Sequence, residues 1–155
     1  MKNTAELSEC RNYRYALWRT WDESKPIVMF IALNPSTADE TNDDPTLTRC
    51  INFAKSWGYG GVCMANLFAF RATEPKDMKA AKDPIGSKND AWLLKLVKDA
   101  ELVVGAWGND GSFIKRSKQI VELIPQLHCL KVNKSGEPAH PLYLSAKLKP
   151  VVMGI

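Results

Sequence analysis

"IVMFIALNPSTADETNDDPT", residues 27–46, begins with a continuous apolar run, Ile27 to Leu33, and turns abruptly polar and acidic from Asn34-Pro35-Ser36 onward. An unbroken apolar run of this length is what a strand buried on both faces requires. The polar part is longer than a simple chain reversal needs, which raises the question of whether it binds something. Its far end carries a helix-start signature, with Asp44 as N-cap and Pro45 at the first helical position. Leu47, Cys50, Ile51 and Ala54 follow at helical spacing, and the helix should stop near Gly58.

Working outward, Tyr13 to Arg19 ("YRYALWR") roughly alternates apolar and polar residues, the pattern of a half-exposed strand at a sheet edge. Downstream, "GVCMANLFAF" (61–70) reads as a second buried strand and "RATEPKDMKAAKDPIGSKND" as a polar connection. Trp92, Leu93, Leu96 and Val97 form the stripe of a second helix, and "ELVVGAW" (101–107) is a third strand. Phe113, Ile114, Ser117, Ile120, Val121 and Ile124 mark a third helix, and "LHCLKV" (127–132) a fourth strand. Regular alternation of strands and helices predicts an α/β fold: a three-layer sandwich with a central four-stranded parallel sheet, helices on both faces, and Tyr13 to Arg19 as an added antiparallel edge strand. No repeat or linker divides the chain, so residues 1–155 read as a single domain.

The composition is that of an ordinary globular protein, 45% hydrophobic and 25% charged. No apolar run approaches a membrane span and the first residues hold no apolar leader, so the expectation is a cytoplasmic protein with no membrane partner. Cys10, Cys50, Cys63 and Cys129 form no C-x-x-C pair, and only His128 and His140 add imidazole. The reading is reduced, mostly buried thiols, with no metal site and no cofactor. A net charge of +4 permits an anionic partner without demanding one. The one basic run, "FIKRSKQ", has the character of a solvated helix face.

Open α/β sheets bind ligands at the carboxyl ends of their strands. After the first strand come Asn34, Pro35, Ser36 and Thr37. The second carries Asn66 and ends at Arg71-Ala72-Thr73; the third ends at Trp107-Gly108-Asn109-Asp110; the loop after the fourth continues through "SGEPAHPLYLS". Asn66 interrupts an apolar strand, and a buried carboxamide without partners costs on the order of 1–3 kcal/mol. Either neighbouring backbone or a ligand must satisfy it. Asn34 either makes an Asx-turn before Pro35 or faces the same rim. Asn carboxamides suit base edges, since each presents a donor beside an acceptor. An imidazole such as His140 can hydrogen-bond an oxygen that gains charge as a leaving group departs. No G-x-S-x-G, Cys–His pair or Walker-type loop is present, and the glycines of "GAWGNDGS" are weak evidence for phosphate binding.

These segments resemble motifs of the uracil-DNA glycosylase superfamily. "FIALNPSTAD" resembles the first motif of its mismatch-specific branch, where a strand ends in G-I-N-P-G. "VCMANLFAFRATEP" resembles the second-strand segment, and "AHPLYLS" the last motif, H-P-S-P-L-S. The whole chain is most similar to an uncharacterised bacterial and phage group, domain of unknown function 1643, of which "LNPSTAD", "WGYGG", "NLFAFRAT" and "HPLYL" are typical. The superfamily resemblance implies that Asn34 orients an attacking water, Asn66 reads the base, and His140 stabilises the departing base through its carbonyl oxygen. Leu142 stands where that motif has the serine of a phosphate contact, and Tyr143 where it has a proline. Asp39, Asp43 and Asp44 are candidates for a true base, against helix capping as the preferred role of Asp44.

The resulting expectation is an N-glycosidic-bond hydrolase acting on a base in DNA or on a nucleoside or nucleotide. Asn34 and His140 are its catalytic candidates, and Pro35, Ser36, Asn66, Arg71, Trp107 and Tyr143 line the substrate. The partner class is nucleic acid or nucleotide. Two alternatives stand beside it: a binding module without catalysis, and a nucleotide-processing factor of a base-modification pathway.

Overall fold

The computed structural model describes residues 1–153. Its strands form one seven-stranded sheet in the order β1-β2-β4-β3-β5-β6-β7. In chain order these are β1 (Lys2–Leu7), β2 (Arg14–Thr20), β3 (Ile27–Ala32), β4 (Gly61–Asn66), β5 (Leu102–Gly105), β6 (His128–Cys129) and β7 (Val151–Val152). The helices are α1 (Pro45–Ser56), α2 (Pro75–Lys79), α3 (Asn89–Asp99) and α4 (Arg116–Leu123). Strand β3 pairs in parallel with β4 and β5, and β5 in parallel with β6. The β1–β2, β2–β4 and β6–β7 pairings are antiparallel, so this is a mixed α/β fold.

Strand periodicity assigns the two faces. Met29, Ile31, Cys63, Ala65 and Val103 join Leu93 and Leu96 of α3 and Ile120 of α4 in one apolar cluster. Val28, Phe30, Val62, Met64 and Val104 join Leu47, Cys50, Ile51, Phe53 and Ala54 of α1 in the other. Apart from Asn66 at the end of β4, the central strands carry no polar side chain, because each face has a helix to meet.

Helix α1 starts as its sequence predicts: the Asp44 carboxylate accepts from the Leu47 N–H at 2.8 Å and Pro45 follows at N1. After α1, the chain passes so close to the β2–β3 turn that a Cβ on Gly60 would sit 2.0 Å from the carbonyl oxygen of Asp22. That approach lets the Gly60 carbonyl accept from the N–H groups of both Trp21 and Asp22.

Several expectations are corrected. The strand predicted at Tyr13 to Arg19 is antiparallel to its neighbour, but it is not at the edge, because β1 covers it. Its polar positions are not solvated either: Arg14 and Arg19 are 4% and 0% exposed. Sequence alternation mimicked a half-exposed strand because both guanidiniums lie inside the fold, that of Arg19 bonded to the acidic loop and that of Arg14 beside an internal cavity. The polar and largely exposed β1 gave no apolar signal. Strand β4 stops at Asn66 rather than running to Phe70, since Ala69 and Phe70 turn away to bond the carbonyls of Ile85 and Pro84. The third predicted helix begins later than its apolar spacing suggested. Residues 109–115 form a kinked 3₁₀ segment with Ile114 and Lys115 at positive φ, and Ile114 is exposed. Helix α2 and strand β7 were not anticipated.

Candidate functional site

A cavity of about 680 Å³ opens at the carboxyl ends of β3 and β4, on the face covered by α1. Its floor includes Leu17, Ala32, Met64 and Leu47, and its polar wall includes Asn34, Asn66, His140, Arg14 and Asp44. Of the residues singled out from sequence, Asn34, Pro35, Ser36, Asn66, Trp107 and His140 line it. Arg71 and Tyr143 do not. Arg71 spans two loops, donating to the carbonyls of Ser36 at 3.4 Å and Arg11 at 3.3 Å. Tyr143 projects into solvent, 95% exposed, beside Leu142 of the cavity rim.

Asn66 is the unusual member. Its side chain is buried, and neither Oδ1 nor Nδ2 has a hydrogen-bond partner. Its main chain is firmly held: the Asn66 carbonyl accepts from Asn89 Nδ2 at 3.0 Å, and the Leu67 carbonyl from Asn89 Nδ2 and Arg116 Nε. The strand end is thus rigid, while a donor and an acceptor face the cavity unpaired.

Asn34 makes no Asx-turn. Its Nδ2 donates to the carbonyls of Ala72 at 2.8 Å and Pro35 at 3.2 Å, which leaves Oδ1 to accept from something in the cavity. The Ala72 N–H returns a bond to the Pro35 carbonyl at 2.9 Å, stitching the β3 and β4 loops into one wall.

His140 caps a short 3₁₀ turn, Pro141–Tyr143, and its Nδ1 accepts from the Leu142 N–H at 3.3 Å. An accepting Nδ1 places the ring proton on Nε2. Burial pushes the His140 pKa below its ordinary value, opposed by the nearby Asp44 carboxylate. The ring is therefore a neutral Nε2–H donor at neutral pH. Arg49 of α1 anchors the turn through the carbonyls of Pro141 and Leu144. Gly108, beside the His140 Cβ, holds φ +75° and ψ −173°, a backbone state that only glycine adopts without strain.

Trp107 is a wall, not a free stacking platform. It is 1% exposed and its Nε1 donates to Glu137 Oε1 at 3.1 Å. The acids divide clearly. Asp39 accepts from the N–H groups of Thr41 and Asn42, and the Thr41 bond above all lowers its pKa to about 2. Asp43 pairs with Arg19 at 2.9 Å. Neither Asp39 nor Asp43 lines the cavity; Asp44 does, while capping α1 through Oδ1. Asp110 lines it too and pairs with Lys79 at 2.9 Å.

Sequence reasoning missed Arg14, whose position within an apparently half-solvated strand concealed it. Charge complementarity with the acidic stretch Asp39–Asp44 could have pointed to Arg19, which pairs with Asp43, but no local signal marked Arg14. It also missed Asn89, which fell in a segment read as a plain polar connection. Cys50, Cys63 and Cys129 are buried and Cys10 is exposed; burial pushes the Cys63 thiol up to about 12. No group of three or more His, Cys, Asp or Glu among the described residues is arranged to hold a metal ion, and no helix among them is long and apolar enough to cross a membrane.

A mixed α/β sheet with a polar cavity at its carboxyl edge defines the general class of the protein. The chain belongs to the family described as "Protein of unknown function (DUF1643)", whose match covers residues 14–142. No curated protein and no solved structure matches it.

Proposed function

We propose that the cavity binds a nucleobase and that the protein is an N-glycosidic-bond hydrolase on the three-layer, uracil-DNA glycosylase-like scaffold, its sheet centred on four parallel strands. The observation that carries this reading is the buried, unpaired carboxamide of Asn66 facing a cavity shared with Asn34 Oδ1 and the neutral His140. A ligand with an acceptor beside a donor, as on a base edge, would remove the desolvation cost of both Asn66 atoms.

In the reaction, Asn34 Oδ1 holds a water against the anomeric carbon. A C–O bond forms there as the C–N glycosidic bond breaks, and the electron pair leaves with the base. His140 Nε2–H hydrogen-bonds the base carbonyl oxygen as its negative charge grows. The water proton passes to solvent or to the departing base. Pro35 and Ser36 close the wall, Trp107 bounds the slot, and Arg71 and Tyr143 stand outside it, where longer substrates would pass. If the base comes from a duplex it must leave the stack to enter.

The second reading is a nucleotide or nucleic-acid binding module without turnover, of the kind a nucleotide-processing pathway would use. It is favoured by the carboxylates: Asp39 and Asp43 are engaged away from the cavity, and Asp44 caps a helix. Incubation with nucleosides, nucleotides and oligonucleotides of varied bases, with mass spectrometry for released base, separates the two. Release of a free base supports hydrolysis; binding without release supports the module.

A further inference from the structure

Three arginines are buried among the described residues, and they are not equivalent. Arg19 pairs with Asp43 and donates to the carbonyls of Trp18, Asp39 and Asn42. Arg116 pairs with Asp90 at 2.6 Å and donates to the Leu67 carbonyl and to Gln119. Arg14 has one bond, from NH1 to the Ala38 carbonyl at 2.9 Å, and no carboxylate within ion-pair distance among the described residues. Its Nε is buried with no acceptor, and Arg14 is the member of the three that lines the cavity.

We infer that Arg14 forms an anion subsite inside the cavity and that the ligand carries a phosphate group. The inference rests on the base-binding reading for the rest of that ligand. A buried charge is normally paired, and its unpaired state is costly unless a partner arrives. A guanidinium with Nε and a terminal nitrogen uncommitted presents the fork that matches phosphate oxygens. Burial lowers the Arg14 pKa to about 10, so the group stays charged at neutral pH. Asp44, the carboxylate nearest in effect, is committed to its helix cap and leaves the charge only partly balanced. Arg71 and Arg19 add positive potential to the same region.

Calorimetric titration with nucleosides, nucleoside 5′-monophosphates, short single-stranded oligonucleotides and inorganic phosphate tests this. The wild-type protein should bind a monophosphate, or the same base within an oligonucleotide, about ten- to a hundredfold tighter than the free nucleoside. Better binding of the monophosphate identifies a free nucleotide as the source of the phosphate, and better binding of the oligonucleotide identifies a nucleic-acid backbone. Arg14→Gln should abolish the preference and Arg14→Lys should keep part of it, with folding followed by circular dichroism. The wild-type comparison stands even where a variant fails to fold. Equal affinity for nucleoside and phosphorylated forms overturns the subsite while leaving base binding intact. Binding of inorganic phosphate, lost in Arg14→Gln, with no preference for any base, keeps the subsite and overturns the base reading.

Discussion

Asn89 Nδ2 donates to the main-chain carbonyl of Asn66 at 3.0 Å, while the Asn66 side chain itself bonds nothing. Two asparagines that look alike in sequence thus divide the work: one fixes the strand end, the other is held ready by it. Asn66→Ala should therefore leave the melting temperature unchanged or raise it, because an unpaired buried amide is removed. The same change should weaken base binding by about 1–3 kcal/mol. Asn89→Ala should instead lower stability by about 1–3 kcal/mol, since two carbonyls lose a donor. Thermal denaturation of both variants checks the asymmetry, and a large loss of stability in Asn66→Ala would refute it.

His140→Ala should slow the chemical step about a hundred- to thousandfold with little change in substrate affinity, because its bond strengthens only as charge develops on the base. Single-turnover cleavage beside ligand titration separates the two effects. Equal losses of affinity in His140→Ala and Asn66→Ala, with no base released by the parent protein, would favour the binding module.

The pH dependence follows from the burial of His140. Its folded pKa lies below the unfolded value of 6.5, so the unfolded chain binds the extra proton more readily. Its contribution to stability is complete above the unfolded pKa and is lost as pH falls through 6.5 toward the folded pKa. Protonation also converts Nδ1 from acceptor to donor and breaks the bond from the Leu142 N–H. Denaturant melts at a series of pH values should show this loss in the parent, and a smaller one in His140→Gln.

Arg49 holds the His140 turn from α1 through the carbonyls of Pro141 and Leu144. Arg49→Ala should loosen that turn and reduce turnover while leaving recognition by Asn66 in place. Hydrogen exchange over residues 140–144, compared with the parent, reads the loosening directly.

Arg19 is fully buried, and its guanidinium gathers the carboxylate of Asp43 and the carbonyls of Asp39 and Asn42. Arg19→Ala should cost about 1–3 kcal/mol in chemical denaturation, since the carbonyls of Asp39 and Asn42 lose their donor while Asp43, 44% exposed, is left to solvent. A change below about 1 kcal/mol would show that the acidic loop is ordered without it.

The central α/β alternation was legible because its signals are local. Apolar runs mark β3, β4 and β5, and Asp44-Pro45 marks the start of α1; each depends on neighbours a few residues apart. The candidate site was partly legible for the same reason, since Asn34, Asn66 and Trp107 fall at or just beyond strand ends and His140 lies in the loop that follows β6, and the topology brings them to one rim. Strand β1 stayed hidden because its sequence is polar and its stability comes from pairing with β2.

What the sequence determined by itself is the alternation of the central strands with α1, α3 and α4, and which polar residues come after each of those strands. Tertiary structure alone decided which of those residues are satisfied. Asn34 is tethered by Ala72, Trp107 by Glu137 and Arg19 by Asp43, each partner at least 24 positions away in the chain. Asn66 and Arg14 keep free hydrogen-bonding atoms in the same cavity. The difference lies in where distant backbone carbonyls and carboxylates fall once the sheet is assembled. Residue type and local spacing carry no record of it, because hydrogen bonds form over about 3 Å regardless of separation along the chain.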